Sequence, residues 1–402
     1  MTVAAAADVA VGAAGLDSAR GLSARVLTDA DAIDAHLAAW RGLAEAARGF
    51  VVFQTADFVA SWSRVFLAEK ANLKVVLVYR DNTLAGLIPV EIRRRGMVTT
   101  ARLAGAPVGQ YDDVLIAPTA DPASVVAAAC EALRKEHGVD VVLLTRVRSD
   151  SALAAAESRS VAIGAPEQAP YADLGEDGAE AFMATLKKRV RRQLAKRQRQ
   201  LAELGPCAFA QAADPDEAAD WMRQALELKR DWLRRSGKLS RAFIDRRTAE
   251  FLIEAARAGA RPREAAAPAD GSRLILSRLT VGGRTAALEV GFVCRDTYHL
   301  YLGAFAPEFA RFGPGNALTE AVVQACVEVG IRRYDMLAPD SRNKREWATD
   351  SVSVVDLALP LSGLGRLYVL IVHQALLPTA RRLFYLLPVR LRSLIAARTL
   401  AL

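Results

Sequence analysis

The chain has 402 residues, of which 52% are hydrophobic and 24% are charged, a globular composition with enough length for two domains. Its net charge of +8 favours anionic partners such as phosphate-bearing ligands, nucleic acid or anionic lipid, without choosing among them. The four cysteines and four histidines are scattered. This spacing argues against a disulfide framework or a metal site and fits a reducing cytosol.

Residues 1–24 are rich in Ala, Gly and Val and lack a periodic apolar pattern, so we predict a disordered leader. The stretch has no basic start, and Asp8 interrupts it, which makes it a poor signal peptide. No run reaches the roughly 18 apolar residues that a membrane-spanning helix needs.

Residues 25–150 alternate helical and strand patterns, which predicts an α/β lobe. The predicted elements are helices 29–47, 56–66 and 123–135, a hairpin of strands 73–79 and 84–93, and a buried strand 139–145. Asp112 lies in a loop of this lobe. It is a candidate contact for a cationic acceptor, or a carboxylate satisfied by water or backbone.

Residues 151–174 are rich in Ala, Ser and Pro and are predicted to link two lobes. The following stretch, Lys187–Arg199, holds eight basic residues and no acid, while Phe182, Leu186, Val190 and Leu194 recur every four residues. This pattern predicts a helix with one buried stripe and a cationic remainder. The cationic face is either a solvated surface or a binding surface for an anionic partner.

Residues 175–360 repeat the element order of the first lobe, with helices 215–235 and 246–258, strands 274–281, 285–294 and 298–305, helix 317–329 and strand 332–337. A glycine-bearing turn, Arg311–Asn316, joins strand 298–305 to the next helix. Such a turn can present backbone N–H groups and a helix start to a phosphate, or it can be an ordinary turn.

The second half resembles the GNAT acyltransferase superfamily, in the branch of CelD/BcsL-type or BioF2-like acetyltransferases, and more distantly the FemX/FemAB-type double-GNAT proteins. The matching blocks are Leu288–Phe292, Tyr298–Phe305, Gly313–Leu318, Tyr334–Leu337, Lys344 and Trp347. The resemblance implies an α/β (α+β) fold of two GNAT-like lobes, each a mixed sheet flanked by helices. It also implies acetyl-CoA or another acyl-CoA as co-substrate, and no metal.

Several site residues follow from this resemblance and from the chemistry of acyl transfer. Backbone donors along the strand, and a phosphate site at the turn, would hold the co-substrate: Leu302, Gly303, Ala304, Phe305, Arg311, Gly313, Gly315 and Asn316. Glu289 on its apolar strand is a candidate general base, with Asp335 as a second candidate, and Lys344 would steady an oxyanion or a phosphate. Tyr298, Tyr301 and Trp347 are candidate acceptor contacts.

Residues 361–402 form a basic tail that contains six arginines and no acid. Pro378 and Pro388 are predicted to break it into short helices. We expect either an extra helical layer on the second lobe or an amphipathic anchor, through residues 366–402, on an anionic membrane surface.

The sequence therefore predicts a cytoplasmic acyl-CoA-dependent N- or O-acyltransferase, peripheral to the inner face of the membrane if the tail is an anchor. A small-molecule or saccharide acceptor is expected, and the resemblance implies a role in exopolysaccharide or cellulose-related biosynthesis. One alternative is a FemX-like aminoacyl transferase that uses aminoacyl-tRNA. A nucleic-acid partner is expected only in this alternative. Another alternative is a non-catalytic membrane-associated scaffold.

Overall fold

The chain divides into two units in the computed structural model, which describes residues 21–47, 49, 52–67, 73–156, 160–261 and 272–399. The first unit combines Met1–Pro166 with Ser353–Arg381, and the second combines Glu167–Val352 with Arg382–Leu402. The predicted leader lies outside the described residues up to position 20. Its last residues belong to a strand that begins at Leu22.

Fourteen strands lie in the described residues. They are β1 (Leu22–Leu27), β2 (Leu73–Arg80), β3 (Thr83–Arg95), β4 (Val98–Leu103), β5 (Leu115–Ile116), β6 (Val141–Arg148), β7 (Val161–Ala162), β8 (Glu167–Asp173), β9 (Cys207–Gln211), β10 (Arg273–Val281), β11 (Arg284–Cys294), β12 (Thr297–Phe305), β13 (Arg333–Asp335) and β14 (Asp350–Pro360).

The α-helices of the described residues are α1 (Ala30–Ala35), α2 (Leu37–Ala46), α3 (Ala56–Phe66), α4 (Pro122–His137), α5 (Ala152–Ala155), α6 (Ala179–Thr185), α7 (Lys188–Ala202), α8 (Pro215–Ser236), α9 (Arg241–Ile244), α10 (Arg247–Ala260), α11 (Pro314–Glu328), α12 (Arg342–Trp347), α13 (Gly363–Tyr368), α14 (Leu377–Leu386) and α15 (Val389–Thr399). Two 3-10 helices, Val52–Gln54 and Pro307–Phe312, and a π-helix, Val369–Leu376, complete them.

The first unit is built on strands in the order β1-β2-β3-β4-β6-β14, with β5 beside β3 and β7 beside β14. The pairing is antiparallel except between β4 and β6, where Thr100–Arg102 runs parallel to Val141–Leu143. Buried residues of β2, β3 and β6 pack with the apolar face of α4 to form its core. The late strand β14 completes this sheet by pairing with β6.

The second unit repeats this plan with strands in the order β8-β13-β12-β11-β10-β9. Its single parallel pair joins Thr297–His299 of β12 to Arg333–Asp335 of β13. Helices α7 and α11 bury their apolar residues in the core of this unit, among them Val190, Leu194 and Leu318. The basic stretch is a helix that buries Val190, Leu194 and Leu201. The predicted stripe is nevertheless interrupted, because Phe182 belongs to α6 and Leu186 is the extended residue that ends it.

The linker prediction was wrong over residues 167–173, because these residues form β8 and pair with β13. The tail also differs from expectation. Pro378 does not end a helix, because it stands at the second position of α14, directly after the π-helix. A proline lacks the N–H of the regular helical ladder, and the wider π-helical turns before it accommodate that loss.

The tail is divided between the units. Val369 is buried in a small apolar cluster of the first unit, whereas α15 packs on α8 in the second unit and buries Ala396. Among the described residues, no helix combines the length and the apolar character needed to cross a membrane.

Candidate active site

The candidate site lies where β12 and β13 diverge. These strands are hydrogen-bonded over only three residue pairs, which end at His299 and Asp335. Beyond this point β12 continues to Phe305, while β13 has already ended. Among the described residues, the edge of β12 that faces away from β11 has no strand partner from Leu300 onward, and we call the region beside this unpaired edge the wedge.

Two backbone N–H groups of β12 point into this wedge. Ala306 donates to the carbonyl of Ala286, so Ala306 belongs to a hydrogen-bonded pair with β11. Because such pairs alternate along an antiparallel ladder, the N–H groups of Leu302 and Ala304 also point toward β11. Those of Gly303 and Phe305 point the other way. Of the four predicted donors, these two are directed at the wedge.

A β-bulge lies at the same place. Val290 is opposite Leu302 and Gly291 is opposite Leu300, so Tyr301 is the extra residue of β12. Its ring packs edge-to-face on Phe292 at 5.3 Å between centroids and is partly exposed. Bulges bend a strand and re-aim its side chains, and here the bulge starts the divergence from β13. Tyr301 stays a candidate acceptor contact.

The glycine turn follows the wedge. A 3-10 helix ends at Phe312, Gly313 takes the left-handed conformation (φ 64°), and Pro314 begins α11. The predicted helix start at residue 317 was therefore three residues late. A Cβ at Gly315 would meet no atom of the described residues within 4 Å, so the backbone there is open to a ligand. Arg311 is exposed, with its guanidinium over the Phe312 ring.

The basic helix α7 reaches this turn. The guanidinium and Cδ of Arg197 lie against Gly313, where a Cβ would meet them at 2.9 to 3.0 Å. Gln198 of the same helix donates to Glu320 of α11 at 2.7 Å. The positively charged helix and the glycine turn are consequently parts of one local surface, which the sequence pattern did not reveal.

Asn316 and Trp347 support the start of α11 from inside. Asn316 is buried, and its Oδ1 accepts hydrogen bonds from the Trp347 indole N–H at 3.2 Å and from Asn343 at 3.4 Å. Trp347 is only 3% exposed and lies in the core of the second unit. The indole of Trp347 therefore lies among core residues. Its N–H donates to Asn316, the third residue of α11, and so holds the start of that helix.

Glu289 of β11 is the centre of a buried polar cluster. Its carboxylate accepts hydrogen bonds from Tyr334 (2.7 Å), Tyr298 (3.2 Å) and Thr319 (3.0 Å). These hydroxyls come from β13, β12 and α11, the three elements that surround the wedge. We call Glu289, Tyr298, Thr319 and Tyr334 the carboxylate cluster.

Burial dominates the electrostatics of the carboxylate cluster. It raises the pKa of Glu289 to about 7, although the three hydroxyl donors act in the opposite direction. Burial and the neighbouring Glu289 charge hold the pKa values of Tyr298 and Tyr334 well above the ordinary tyrosine value. Glu289 is therefore poised to exchange a proton near neutral pH, while both tyrosines keep theirs.

Gly291 makes the carboxylate cluster sterically possible. Glu289 and Gly291 lie on the same face of β11, and the ring of Tyr298 covers Gly291 so closely that a Cβ would lie 2.0 Å from Tyr298 Cζ. The Tyr298 and Tyr334 rings are stacked, with 5.0 Å between centroids and 8° between planes. Tyr298 is a predicted acceptor contact. The structure places its side chain wholly inside the core, where its hydroxyl donates a hydrogen bond to Glu289.

Asp335 and Lys344 organise the loop that leaves β13. Asp335 is fully buried, and its carboxylate accepts a hydrogen bond from the N–H of Leu337 at 2.8 Å. Leu337 has a positive φ of 58°. The Lys344 ammonium donates to the carbonyls of Leu337 and Pro339, both at 2.8 Å. Both side chains hold the irregular backbone beside the wedge. Among the described residues, the hydrogen bonds of Glu289 are to Tyr298, Thr319 and Tyr334.

Asp112 belongs to the first unit. Its carboxylate accepts the N–H of Thr145 at 2.6 Å, and burial raises its pKa to about 7. Asp112 thus holds the backbone of β6 within the first unit. Within the described residues, no three His, Cys, Asp or Glu side chains come together as metal ligands would.

Sequence reasoning missed Tyr334, Thr319 and Arg197. Tyr334 lies in the matching block Tyr334–Leu337, but nothing in its own strand shows that its hydroxyl donates to Glu289, 45 residues earlier. The four-residue spacing of the apolar residues in α7 predicts from the sequence alone that Arg197 lies outside the buried stripe. Its contact with Gly313 depends on how α7 packs on α11.

The mixed sheets flanked by helices form a GNAT-like α/β fold. Residues 188–345 match the family model described as an acetyltransferase (GNAT) domain. This segment contains α7, the wedge, the glycine turn and the carboxylate cluster. No protein of curated function matches the sequence.

Two solved structures, FemX and a protein from Bacteroides thetaiotaomicron, share this fold. FemX superposes with a TM-score of 0.59 at 11% identity, covering 86% of this chain and 99% of its own. A conserved protein of unknown function from Bacteroides thetaiotaomicron VPI-5482 has a TM-score of 0.51 at 12% identity, covering 80% and 97%. A tandem GNAT protein from the clavulanic acid pathway has a TM-score of 0.47 at 13% identity, covering 84% and 98%. The predicted fold, mixed sheets flanked by helices in a GNAT-like arrangement, is confirmed, and a GNAT-type acyltransferase is supported.

Proposed function

We propose that this protein transfers an acyl group, such as acetyl, from an acyl-CoA to a nitrogen or oxygen of a small-molecule or saccharide acceptor. The observation that carries the proposal is the opening between β12 and β13, bordered by two directed N–H groups, a glycine turn and the carboxylate cluster. Acyl transfer needs donors, a phosphate anchor and a proton acceptor together, and this opening offers all three.

The residues around the wedge fit an acyl-CoA. Gly303 and Phe305 would donate their N–H groups to its amide or thioester carbonyl oxygens. The open backbone at Gly313–Gly315 and the start of α11 would receive the pyrophosphate, with Arg197 and Arg311 beside it. The bound acyl-CoA supplies an acyl group activated as a thioester.

The carboxylate cluster would manage the acceptor's proton. Glu289 is 3% exposed, and Tyr298 and Tyr334 are fully buried, so Glu289 would act through a partly exposed hydroxyl, that of Thr319, which is 3.0 Å from its carboxylate. The acceptor proton passes to such a hydroxyl as that hydroxyl gives its own proton to Glu289. Glu289 is the positioning and proton-accepting residue of this relay. Its near-neutral pKa suits the task.

The finer assignments rest on the sequence resemblance. A CelD/BcsL-type role in exopolysaccharide or cellulose-related biosynthesis, at a cytoplasmic location, is consistent with a basic protein that has an acceptor site of this kind. The other candidate is a FemX-like transfer from aminoacyl-tRNA. Its support is the cationic helix α7 next to the glycine turn, where a nucleic-acid phosphate is as acceptable as a coenzyme phosphate.

Isothermal titration with acetyl-CoA and with CoA tests the proposal. We expect micromolar binding by the wild type and no detectable binding by Gly315→Trp, because the indole would fill the open space over the turn. Gly42→Trp, at an exposed and equally open helical glycine of the first unit, is the matched control and should bind normally. Absence of wild-type binding, with co-purifying RNA, would favour the aminoacyl-tRNA candidate.

Arg197→Ala should weaken CoA binding by about one to two orders of magnitude, since one charge-assisted hydrogen bond to a phosphate is worth about 1.5–3 kcal/mol. Arg199→Ala, which removes an exposed arginine two residues further along α7, is the control and should change the Kd less than about twofold. Equal affinities in the two variants would show that α7 contributes only a general positive field. Titration at two salt concentrations separates these cases.

A further inference from the structure

The second unit carries an apolar and cationic surface on its last helix. Helix α15 packs on the end of α8, where a Cβ at Gly237 would meet Cβ of Arg392 at 3.0 Å. This contact buries Ala396 but leaves the opposite side of the helix in solvent. The large side chains exposed there and at the end of α14 are Leu383, Tyr385, Leu386, Val389, Leu391, Leu394 and Ile395.

The charges on this segment have one sign. Arg382, Arg390, Arg392 and Arg398 are interspersed with the exposed leucines, and the sequence has no acidic residue after Asp356. Leu386 is 79% exposed and Leu394 is 62% exposed. Exposed leucines are unfavourable in water, and their concentration over 13 residues marks a contact surface rather than ordinary protein exterior.

A tryptophan with two ammonium groups lies next to this helix. The ammonium groups of Lys229 and Lys238 lie 4.7 and 5.0 Å from the Trp232 ring centroid, and the ring is 38% exposed. Trp232 is five residues before Gly237, about 8 Å along α8, so it adjoins the contact with α15. Glu227 and Asp231, the nearby acids of α8, lie within 4.0 Å of Arg230 and Arg234 respectively.

The two ammonium groups share an aromatic ring, and no described residue forms an ion pair with either of them. In the part of the chain that the structure describes, no carboxylate lies within ion-pair distance of Lys229 or Lys238. Burial, and next the charge of Lys238, lowers the pKa of Lys229 to about 8. An anion placed beside Trp232 would therefore relieve an existing repulsion.

We propose that the surface formed by Trp232, Lys229, Lys238 and the exposed leucines and arginines of residues 382–399 docks on an anionic lipid bilayer. Tryptophan prefers the interface between apolar and aqueous phases, lysine and arginine pair with lipid phosphates, and leucines enter the acyl region. The helix lies on the membrane rather than across it. This partner goes beyond the proposed acyl transfer and does not depend on it.

A soluble polyanion is the alternative occupant, and the apolar residues argue against it. RNA would neutralise the cations but leave Leu386, Leu391 and Leu394 in water, and the surface presents Trp232 as its one exposed tryptophan for base stacking. A bilayer satisfies both kinds of side chain at once.

The first unit, considered by itself, has a similar exposed set on its helical tail, with Leu367, Leu370, Ile371, Leu376 and Leu377.

Co-sedimentation of the nuclease-treated full-length protein with vesicles tests the proposal. We expect binding to vesicles that contain phosphatidylglycerol, weak binding to phosphatidylcholine alone, and a decline with salt. The double variant Leu386→Asp/Leu394→Asp should partition at least about tenfold less. Met97→Asp, at an 80% exposed methionine of the first unit, is the matched control and should bind like the wild type.

A second variant tests the cationic part of the surface. Lys229→Gln/Lys238→Gln should reduce binding to anionic vesicles and leave the residual binding to neutral vesicles unchanged. Wild-type indifference to anionic vesicles at low salt would overturn the proposal. So would vesicle binding that the aspartate pair leaves intact. RNA binding that the wild type and the aspartate pair share, without vesicle binding, would assign the cations to a polyanion instead.

Discussion

Glu289→Gln is expected to lower the rate of acceptor-dependent CoA release by about 10²–10⁴-fold, the usual contribution of a positioned proton acceptor. Glutamine retains an oxygen for the Tyr298 and Tyr334 hydroxyls, and its amide can donate to Thr319, so the fold should persist. The wild-type rate should rise with pH around the near-neutral pKa of Glu289, and the variant should lose this limb. A thiol reagent that reports CoA release, used with a panel of amines and amino sugars, provides the measurement.

Two measurements distinguish the proton-transfer role from a structural one. The affinity of Glu289→Gln for acetyl-CoA should stay within about twofold of the wild type, because Glu289 is buried and its hydrogen bonds to Tyr298, Thr319 and Tyr334 involve no residue of the glycine turn. The pH profile is the second measurement, since a merely structural role would lower activity equally at all pH values. A variant with wild-type turnover and an unchanged pH profile would remove Glu289 from the mechanism.

The same substitution should reduce the pH dependence of stability. The folded pKa of Glu289 is raised from 4.5 to about 7, so the folded state holds a proton that the unfolded state has lost. Stability from this group is complete below about pH 4.5 and is lost as pH rises through about 7, a change on the order of 3 kcal/mol. Asp112 and Asp113, also raised to about 7, act in the same direction. Urea unfolding at several pH values should therefore show a smaller decline for Glu289→Gln.

The second large effect is expected from Gly291→Ala, which should destabilise the protein by about 3 kcal/mol, at the upper end for an overpacked core. The new methyl group would overlap the ring of Tyr298, which is fully buried and stacked on Tyr334. Neither ring can move without breaking hydrogen bonds to Glu289. The free energy of unfolding in urea is the measured quantity.

Gly303→Ala is the matched control for that experiment. Gly303 lies on the neighbouring strand, and a Cβ there would meet no atom of the described residues within 4 Å. We expect its free energy of unfolding to change by less than about 1 kcal/mol. If both alanine variants are equally stable, the close approach of Tyr298 to Gly291 does not constrain the core as the distances indicate.

Long periodic elements were readable from the sequence, and short polar ones were not. The apolar spacing of α7, α8 and α11 and the apolar runs of β10, β11 and β12 located these elements, because burial imposes the pattern. Strand β9 is exposed at all five residues, so its composition carries no such signal. Strand β8 is short and is bounded by Ala- and Pro-rich sequence, so its pattern resembles that of a linker. Helix α12 depends on Ser341, whose side chain accepts the N–H of Lys344.

The candidate site was readable in part for a similar reason. A carboxylate on an apolar strand marked Glu289, and the glycine spacing marked the turn at Gly313. The partners of Glu289 are separated from it by 9, 30 and 45 residues, and only the packing of α11 on the sheet brings them together. Trp347 and Tyr298 are aromatic residues in matching blocks, which does not show whether an aromatic ring faces a ligand or the core.

The position of β14 in the chain has a consequence for biosynthesis. The first unit needs residues from both sides of the segment that forms most of the second, because β14 pairs with β6. A ribosome must therefore complete the sequence through Pro360 before the sheet begun near the amino terminus can gain its last strand. Until then β6 has an unpaired edge, exposed to wrong partners or to chaperones. A fragment that stops at Pro166 would retain that edge permanently, whereas residues 167–352 leave the ribosome as one uninterrupted block.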